Sequence, residues 1–106
     1  LYVDHVVGGI LRVLDRSGSR YVFIYLSDHG ESLLDEGRMF HGMPPGISLP
    51  PEQAQVPLIV KSSVPISVVE RAEYTQRDVY DTVLDLLSIE TPHFDTDGSF
   101  IRRGTP

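Results

Sequence analysis

Cysteine is absent from this chain of 106 residues. That excludes disulfide staples and thiolate chemistry, and it leaves the redox compartment unread. Basic residues are scarce: nine Lys and Arg stand against 15 Asp and Glu, for a net charge of -6. A nucleic-acid backbone is gripped by a surplus of Lys and Arg, so that partner class is excluded. A small phosphorylated ligand is not, because a metal ion can meet its charge. No apolar run approaches the roughly 20 residues of a membrane span. No charged-then-apolar opening resembles a signal peptide. An initiating Met is also missing, and Leu1 and Tyr2 already lie inside an apolar pattern. The chain is therefore expected to be a piece of a longer protein, whose targeting these residues do not report.

What is present is ordinary for a packed protein. Hydrophobic residues make up 41% and charged residues 23%, enough for one small domain with a modest core. Val3, Val6, Val7, Ile10, Leu11 and Leu14 recur at the spacing that lines one helix face. Ser17-Gly18 supplies the stop, with Gly18 suited to a left-handed cap. Tyr21 to Leu26 is a continuous β-branched and aromatic run, which predicts a strand buried on both faces as in a parallel sheet. Asp35 to Pro51 reads as a long Gly- and Pro-rich loop. Val56 to Val60 predicts a second strand, with Pro57 marking a strand start or an edge. Ser67 to Glu73 suggests a short helical turn. Thr75 to Ile89 predicts a helix capped by Thr75 with Asp78 three residues on. Its expected buried face is Val79, Tyr80, Val83, Leu84, Leu86 and Leu87. The tail from His93 onward is polar. The helix-strand order gives an α/β fold, a partial sheet with flanking helices cut from a larger domain across residues 1–106.

The chemistry-bearing residues follow the first strand. Open α/β sheets place ligands at the carboxyl ends of their strands, and there stands Ser27-Asp28-His29-Gly30-Glu31-Ser32. Asp28 and His29 are both good zinc ligands. On a straight strand, neighbouring side chains face opposite ways, so sharing an ion requires the chain to bend, which Gly30 permits. Taken alone, such a pair more often describes a polar turn bonded to its own backbone. His41, twelve residues on, is either a second-metal ligand, phosphate contact or proton donor, or a solvated loop histidine. Glu31 is either a metal-site or substrate contact or a helix-start carboxylate. Ser32 lacks the Gly-x-Ser-x-Gly elbow of a nucleophile. Asp4 and His5 read as helix surface, and Asp35, Glu36, His93, Asp95 and Asp97 as solvated. Asp95-Thr96-Asp97-Gly98 begins like a calcium loop but lacks the remaining ligands.

Together, Ser27-Asp28-His29-Gly30-Glu31-Ser32-Leu33, His41-Gly42-Met43-Pro44, Glu52-Gln53 and Val56-Pro57 resemble the C-terminal catalytic block of the lipid A phosphoethanolamine transferases, members of the alkaline phosphatase superfamily. Leu1 to Asp4 resembles the helix before that block, and Gln76 to Thr91 a late helix of the same family. The resemblance implies a catalytic domain at the periplasmic face of the bacterial inner membrane, tethered by upstream membrane helices. It implies a threonine nucleophile beside one or two zinc ions. That threonine takes phosphoethanolamine from phosphatidylethanolamine and passes it to a lipid or sugar acceptor. Carried over, Asp28 and His29 match metal ligands, His41 the histidine serving a second metal or the substrate phosphate, and Glu31 an acidic residue of the substrate pocket. The threonine and a glutamate ligand match nothing in these 106 residues, so the piece alone is expected to be inactive, to bind zinc weakly and to self-associate through cut sheet edges. The family's usual disulfides are missing, and Pro45-Gly46 and Pro50-Pro51 depart from its loop text. The related alternatives are a sulfatase- or phosphatase-type hydrolase and a phosphoglycerol transferase. A non-catalytic module binding a basic partner is the alternative from another class.

Overall fold

The computed structural model describes residues 2–103. Within them the chain forms helices and small sheets, a mixed α/β arrangement in two compact units, Leu1–Ser63 and Val64–Pro106. Every strand pair among the described residues is antiparallel. This corrects the parallel-sheet expectation drawn from Tyr21 to Leu26. A continuous apolar run reports burial, not strand direction.

In the first unit, helix α1 spans Tyr2–Ser17. Gly18 follows at φ 67°, the left-handed position expected past a helix end, and the Ser17 hydroxyl donates to the Leu14 carbonyl at 2.7 Å. The apolar face is only partly covered: Val7, Leu11 and Leu14 are half-buried, while Val3, Val6 and Ile10 are exposed. Strand β1, Val22–Leu26, pairs with a later strand, Leu58–Ser62, in the register Val22↔Ser62 to Leu26↔Leu58. Pro57 therefore stands just outside the ladder, where its missing N–H costs no bond. Asp15 links helix to strands, accepting from the Tyr21 hydroxyl and, at 2.9 Å, from Lys61 Nζ. Those two partners hold the Asp15 carboxyl below the usual carboxylate range, the Tyr21 bond most of all.

The segment expected to be a bare loop is more ordered than that. Two-residue strands β2, Ser32–Leu33, and β3, Met39–Phe40, pair across a 3₁₀ turn at Asp35–Gly37. Leu34, Glu36 and Phe40 have φ of 72°, 52° and 68°. Left-handed backbone at non-glycine residues costs on the order of 1–3 kcal/mol each and persists only where the surroundings impose it. A four-residue helix, α2, Pro51–Ala54, then leads into β4, the strand Leu58–Ser62.

The second unit pairs β5, Ile66–Val68, with β6, Ile101–Arg103, and carries helix α3, Gln76–Leu87. Strand β5 replaces the expected helical turn. The predicted capping box is present: the Asp78 N–H donates to Thr75 Oγ1 at 3.3 Å, and the Thr75 N–H donates to Asp78 Oδ2 at 2.6 Å. The buried face of α3 is the predicted one only in part: Val79, Leu84 and Leu86 are half-buried. Asp81 and Thr82 are fully buried, whereas Tyr80, Val83 and Leu87 are exposed. The cause is the segment after the helix. The Phe100 N–H donates to Thr82 Oγ1 at 3.0 Å, the Asp95 N–H to Asp81 Oδ1 at 3.2 Å, and Ser99 Oγ to Asp85 Oδ2 at 2.8 Å. Backbone donors covered by packing need acceptors, and polar side chains on α3 supply them. Phe100 and Ile101, in the tail read as polar, are the buried apolar residues of this unit.

Candidate metal centre at the end of strand β1

Strand β1 ends at Leu26, and the next four residues turn back on themselves. Ser27 Oγ donates to the His29 carbonyl at 2.8 Å, and the His29 N–H donates to Asp28 Oδ1 at 3.0 Å. Gly30 is required here for closeness. Its N–H donates to the Gln53 carbonyl at 2.8 Å, and a Cβ at this position would meet the Glu52 carbonyl oxygen at 2.0 Å. Helix α2 is thus packed backbone to backbone against the turn.

The imidazoles are oriented by carbonyl and carboxylate oxygens. His29 Nδ1 lies 2.8 Å from the Gly30 carbonyl. A carbonyl only accepts, so Nδ1 carries the proton and, in the neutral ring, Nε2 carries the lone pair. That Nε2 lies 3.7 Å from Asp28 Oδ2. The distance is long for a hydrogen bond, yet two ligands at about 2.0 Å from one tetrahedral ion stand about 3.3 Å apart. Asp28 is exposed, and its carboxyl sits below the usual range, chiefly because it accepts from the His29 N–H, then because of the His29 charge. It is therefore available as a carboxylate at neutral pH.

His41 Nδ1 donates to Glu31 Oε1 at 2.7 Å. Such a carboxylate-imidazole pair fixes the tautomer and leaves Nε2 as the ligating nitrogen. The His29 and His41 rings lie with centroids 4.0 Å apart at 36°. One ligand atom from each of His29, Glu31 and His41 falls within 4.8 Å of the other two. The donor set, two imidazoles and a carboxylate with Asp28 alongside, fits a borderline-soft divalent cation such as zinc. Residues twelve apart in sequence meet because the β2–β3 hairpin folds His41 back over the turn.

Ser32 is buried, its hydroxyl accepting from Gln53 Nε2 at 2.9 Å. It is a packing partner with no exposed oxygen for substrate. Beside the cluster opens a pocket of about 390 Å³ whose walls include Arg38, Met39, Gly42, Met43, Ile47 and Gln53. Asp4 and His5 are exposed on α1, and Asp35 and Glu36 on the hairpin turn. Asp95 to Gly98 forms a turn in which the Asp97 N–H donates to Asp95 Oδ1 at 3.0 Å. Its backbone is pinned to α3. Gln53, part of the Glu52-Gln53 segment of the resemblance but given no role there, carries three of the bonds around the cluster. Nothing in the residue type signals this, because a buried glutamine and an exposed one look alike in sequence.

The chain has relatives among known proteins. A sulfatase family profile matches residues 1–89, which include the cluster and helix α3, and the chain belongs to the sulfatase family. Its relatives include phosphoethanolamine transferases. The chain is 30% identical over 108 residues to phosphoethanolamine transferase EptA of Escherichia coli, covering 89% of this chain and 20% of that protein. To EptA of Helicobacter pylori it is 35% identical over 83 residues, covering 78% and 16%. To EptA of Salmonella typhimurium it is 31% identical over 108 residues, covering 89% and 20%. The chain thus spans about a fifth of the length of the curated relatives it matches.

Proposed function

We propose that residues 1–106 form the C-terminal part of the catalytic domain of a zinc-dependent phosphoethanolamine transferase, which moves the group from phosphatidylethanolamine to lipid A or another cell-envelope sugar. The observation that carries this reading is the pair at the end of β1. His29 Nδ1 is committed to the Gly30 carbonyl, and Nε2 lies 3.7 Å from Asp28 Oδ2, a gap suited to a shared cation. Asp28 and His29 hold the zinc, and His41, steadied by Glu31, takes a second ion or the substrate phosphate. When bound, zinc supplies Lewis-acid polarisation and lowers the pKa of a coordinated hydroxyl. A threonine outside these residues, by family resemblance, is the nucleophile, and covalent transfer through it lets a hydroxyl acceptor replace water.

A lipid donor suits the surface around His41. Leu33, Leu34, Met39, Phe40, Ile47 and Leu49 are all exposed on that segment, an apolar rim apt for acyl chains or a bilayer surface. No helix among the described residues is long and apolar enough to cross a membrane. Location at the periplasmic face of the inner membrane therefore rests on the resemblance, through membrane helices in other parts of the protein.

The test is transfer by the intact protein. Phosphatidylethanolamine vesicles and lipid A are incubated with it, and the acceptor's gain of one phosphoethanolamine is read by mass spectrometry. Chelation should abolish the gain and added zinc restore it. Release of free phosphoethanolamine without acceptor modification would instead establish a hydrolase. Undiminished transfer by Asp28→Ala and His29→Ala would overturn the assignment of those two residues.

A further inference from the structure

The cluster residues are held at their spacing by one side chain that touches none of them. Gln53 is 3% exposed and lies on the four-residue helix α2. Its side-chain Oε1 accepts from the Gly42 N–H at 2.8 Å, and its Nε2 donates to Ser32 Oγ at 2.9 Å. Its carbonyl accepts from the Gly30 N–H at 2.8 Å. Gly30 lies between His29 and Glu31, Ser32 follows Glu31, and Gly42 follows His41. Each anchor point is thus covalently adjacent to a cluster residue.

The hairpin needs such a brace. Its ladder is only two residue pairs long, and three non-glycine residues within it hold left-handed backbone. Phe40, one of the three, directly precedes His41. A segment this short and this strained keeps one geometry only where its surroundings impose it. The primary amide suits the task. It offers an acceptor and a donor on one rigid plane, so it satisfies a backbone N–H on one arm and a hydroxyl on the other. A buried leucine would fill the space and satisfy neither.

We propose that Gln53 is the positioning residue of the metal centre: it clamps the strand-end turn to the His41 arm and so sets the spacing between His29, a zinc ligand, and His41, which Glu31 steadies beside it. The inference rests on the metal-centre reading above. Partners hydrogen-bonded to a ligand typically contribute about 10- to 100-fold to metal affinity, and Gln53 acts one residue further out, through Gly30, Ser32 and Gly42.

The experiment measures zinc affinity of the intact protein, stripped of metal, by competition with a chromophoric chelator, with thermal melting recorded in parallel. His29→Ala and His41→Ala are the reference variants. Gln53→Leu, which keeps the volume and removes both amide bonds, is expected to weaken zinc binding by about 10- to 100-fold while the metal-free protein still melts cooperatively. Ser32→Ala removes one link alone and is expected to weaken it by less. The double variant should be no worse than Gln53→Leu, because both changes cut the same brace. If Gln53→Leu does not fold, Ser32→Ala decides the matter. A drop in melting temperature with zinc affinity within about threefold of wild type would make Gln53 a packing residue only and overturn the inference while leaving the metal centre standing. If His29→Ala and His41→Ala also bind zinc like wild type, the metal-centre reading fails, and this inference with it.

Discussion

The two units bury polar side chains to opposite ends. In the first, the buried polar residues are Ser32 and Gln53, bonded to each other and, through Gln53, to the Gly30 and Gly42 N–H groups beside His29, Glu31 and His41. The cluster they surround stays partly exposed, with the His29, Glu31 and His41 side chains at 40%, 42% and 54%. In the second, Asp81, Thr82 and Ser99 are buried with Phe100 and Ile101, and their bonds tie the tail to helix α3. Asp81 is also met by Arg77 Nε at 3.0 Å, and Arg71 reaches Asp78, at 2.7 Å, together with the carbonyls of Gly98 and Ser99. One unit thus spends its buried polar groups on orienting an exposed donor set. The other spends them on closing a structure. A carboxylate in the first is a potential ligand, whereas a carboxylate in the second is a staple.

The largest expected effect separates the two. In the intact protein, His29→Ala removes a ligand itself and should cost transfer activity more than the roughly 100-fold upper range for an orienting partner. Thermal melting of the metal-free protein should hardly change, since His29 is half-exposed. Asp81→Ala should do the reverse. It leaves the Asp95 N–H without its acceptor and removes the carboxylate facing Arg77, which costs about 1–3 kcal/mol. Calorimetric melting should fall, while zinc affinity stays at the wild-type value. Equal loss of zinc affinity in both variants would erase the distinction between site and staple.

Sequence patterning read the long elements well and the short ones poorly, for a physical reason. Helices α1 and α3 and strand β1 carry enough apolar residues for a period to show, and the Thr75–Asp78 box is written directly in residue types. Patterning reads the inward face of α3 only in part: Val79, Leu84 and Leu86 turn inward as expected, but the covering segment arrives as backbone donors and selects Asp81 and Thr82 for full burial. Strands β2, β3, β5 and β6 are two or three residues long, too short for any period, and their pairing depends on residues far away in sequence. At the site, Asp28, His29, Glu31 and His41 were legible as donor types following strand β1. That Glu31 orients His41 and that Gln53 braces the hairpin follow only from three-dimensional contacts.

Gly30→Ala sharpens the comparison from the first unit's side. Its Cβ would fall 2.0 Å from the Glu52 carbonyl oxygen, so the turn and α2 must separate. Overpacking of this kind costs about 1–3 kcal/mol, and the displaced turn should weaken zinc binding as well. A melting loss with affinity unchanged would show that the turn and α2 part without disturbing the donors.

The smallest effect tests the second unit's staples by pH. Asp78 accepts from the Thr75 hydroxyl and N–H and faces Arg71, and these contacts, the Thr75 hydroxyl first, hold its carboxyl below the usual range. A carboxyl lowered on folding contributes stability that is fully present above its unfolded value, about 3.9. That contribution is lost as pH falls through the lower folded value. Asp78→Asn should therefore melt below wild type at pH 7 by an amount near the roughly 1 kcal/mol of a helix cap. The gap should hold down to about pH 4 and close on further acidification, because the wild-type carboxyl then loses its charge too. Melting curves of the two proteins between pH 7 and pH 2 read this directly. A gap that stayed constant down to pH 2 would mean that the geometry of the cap, rather than the charge on Asp78, holds the start of α3.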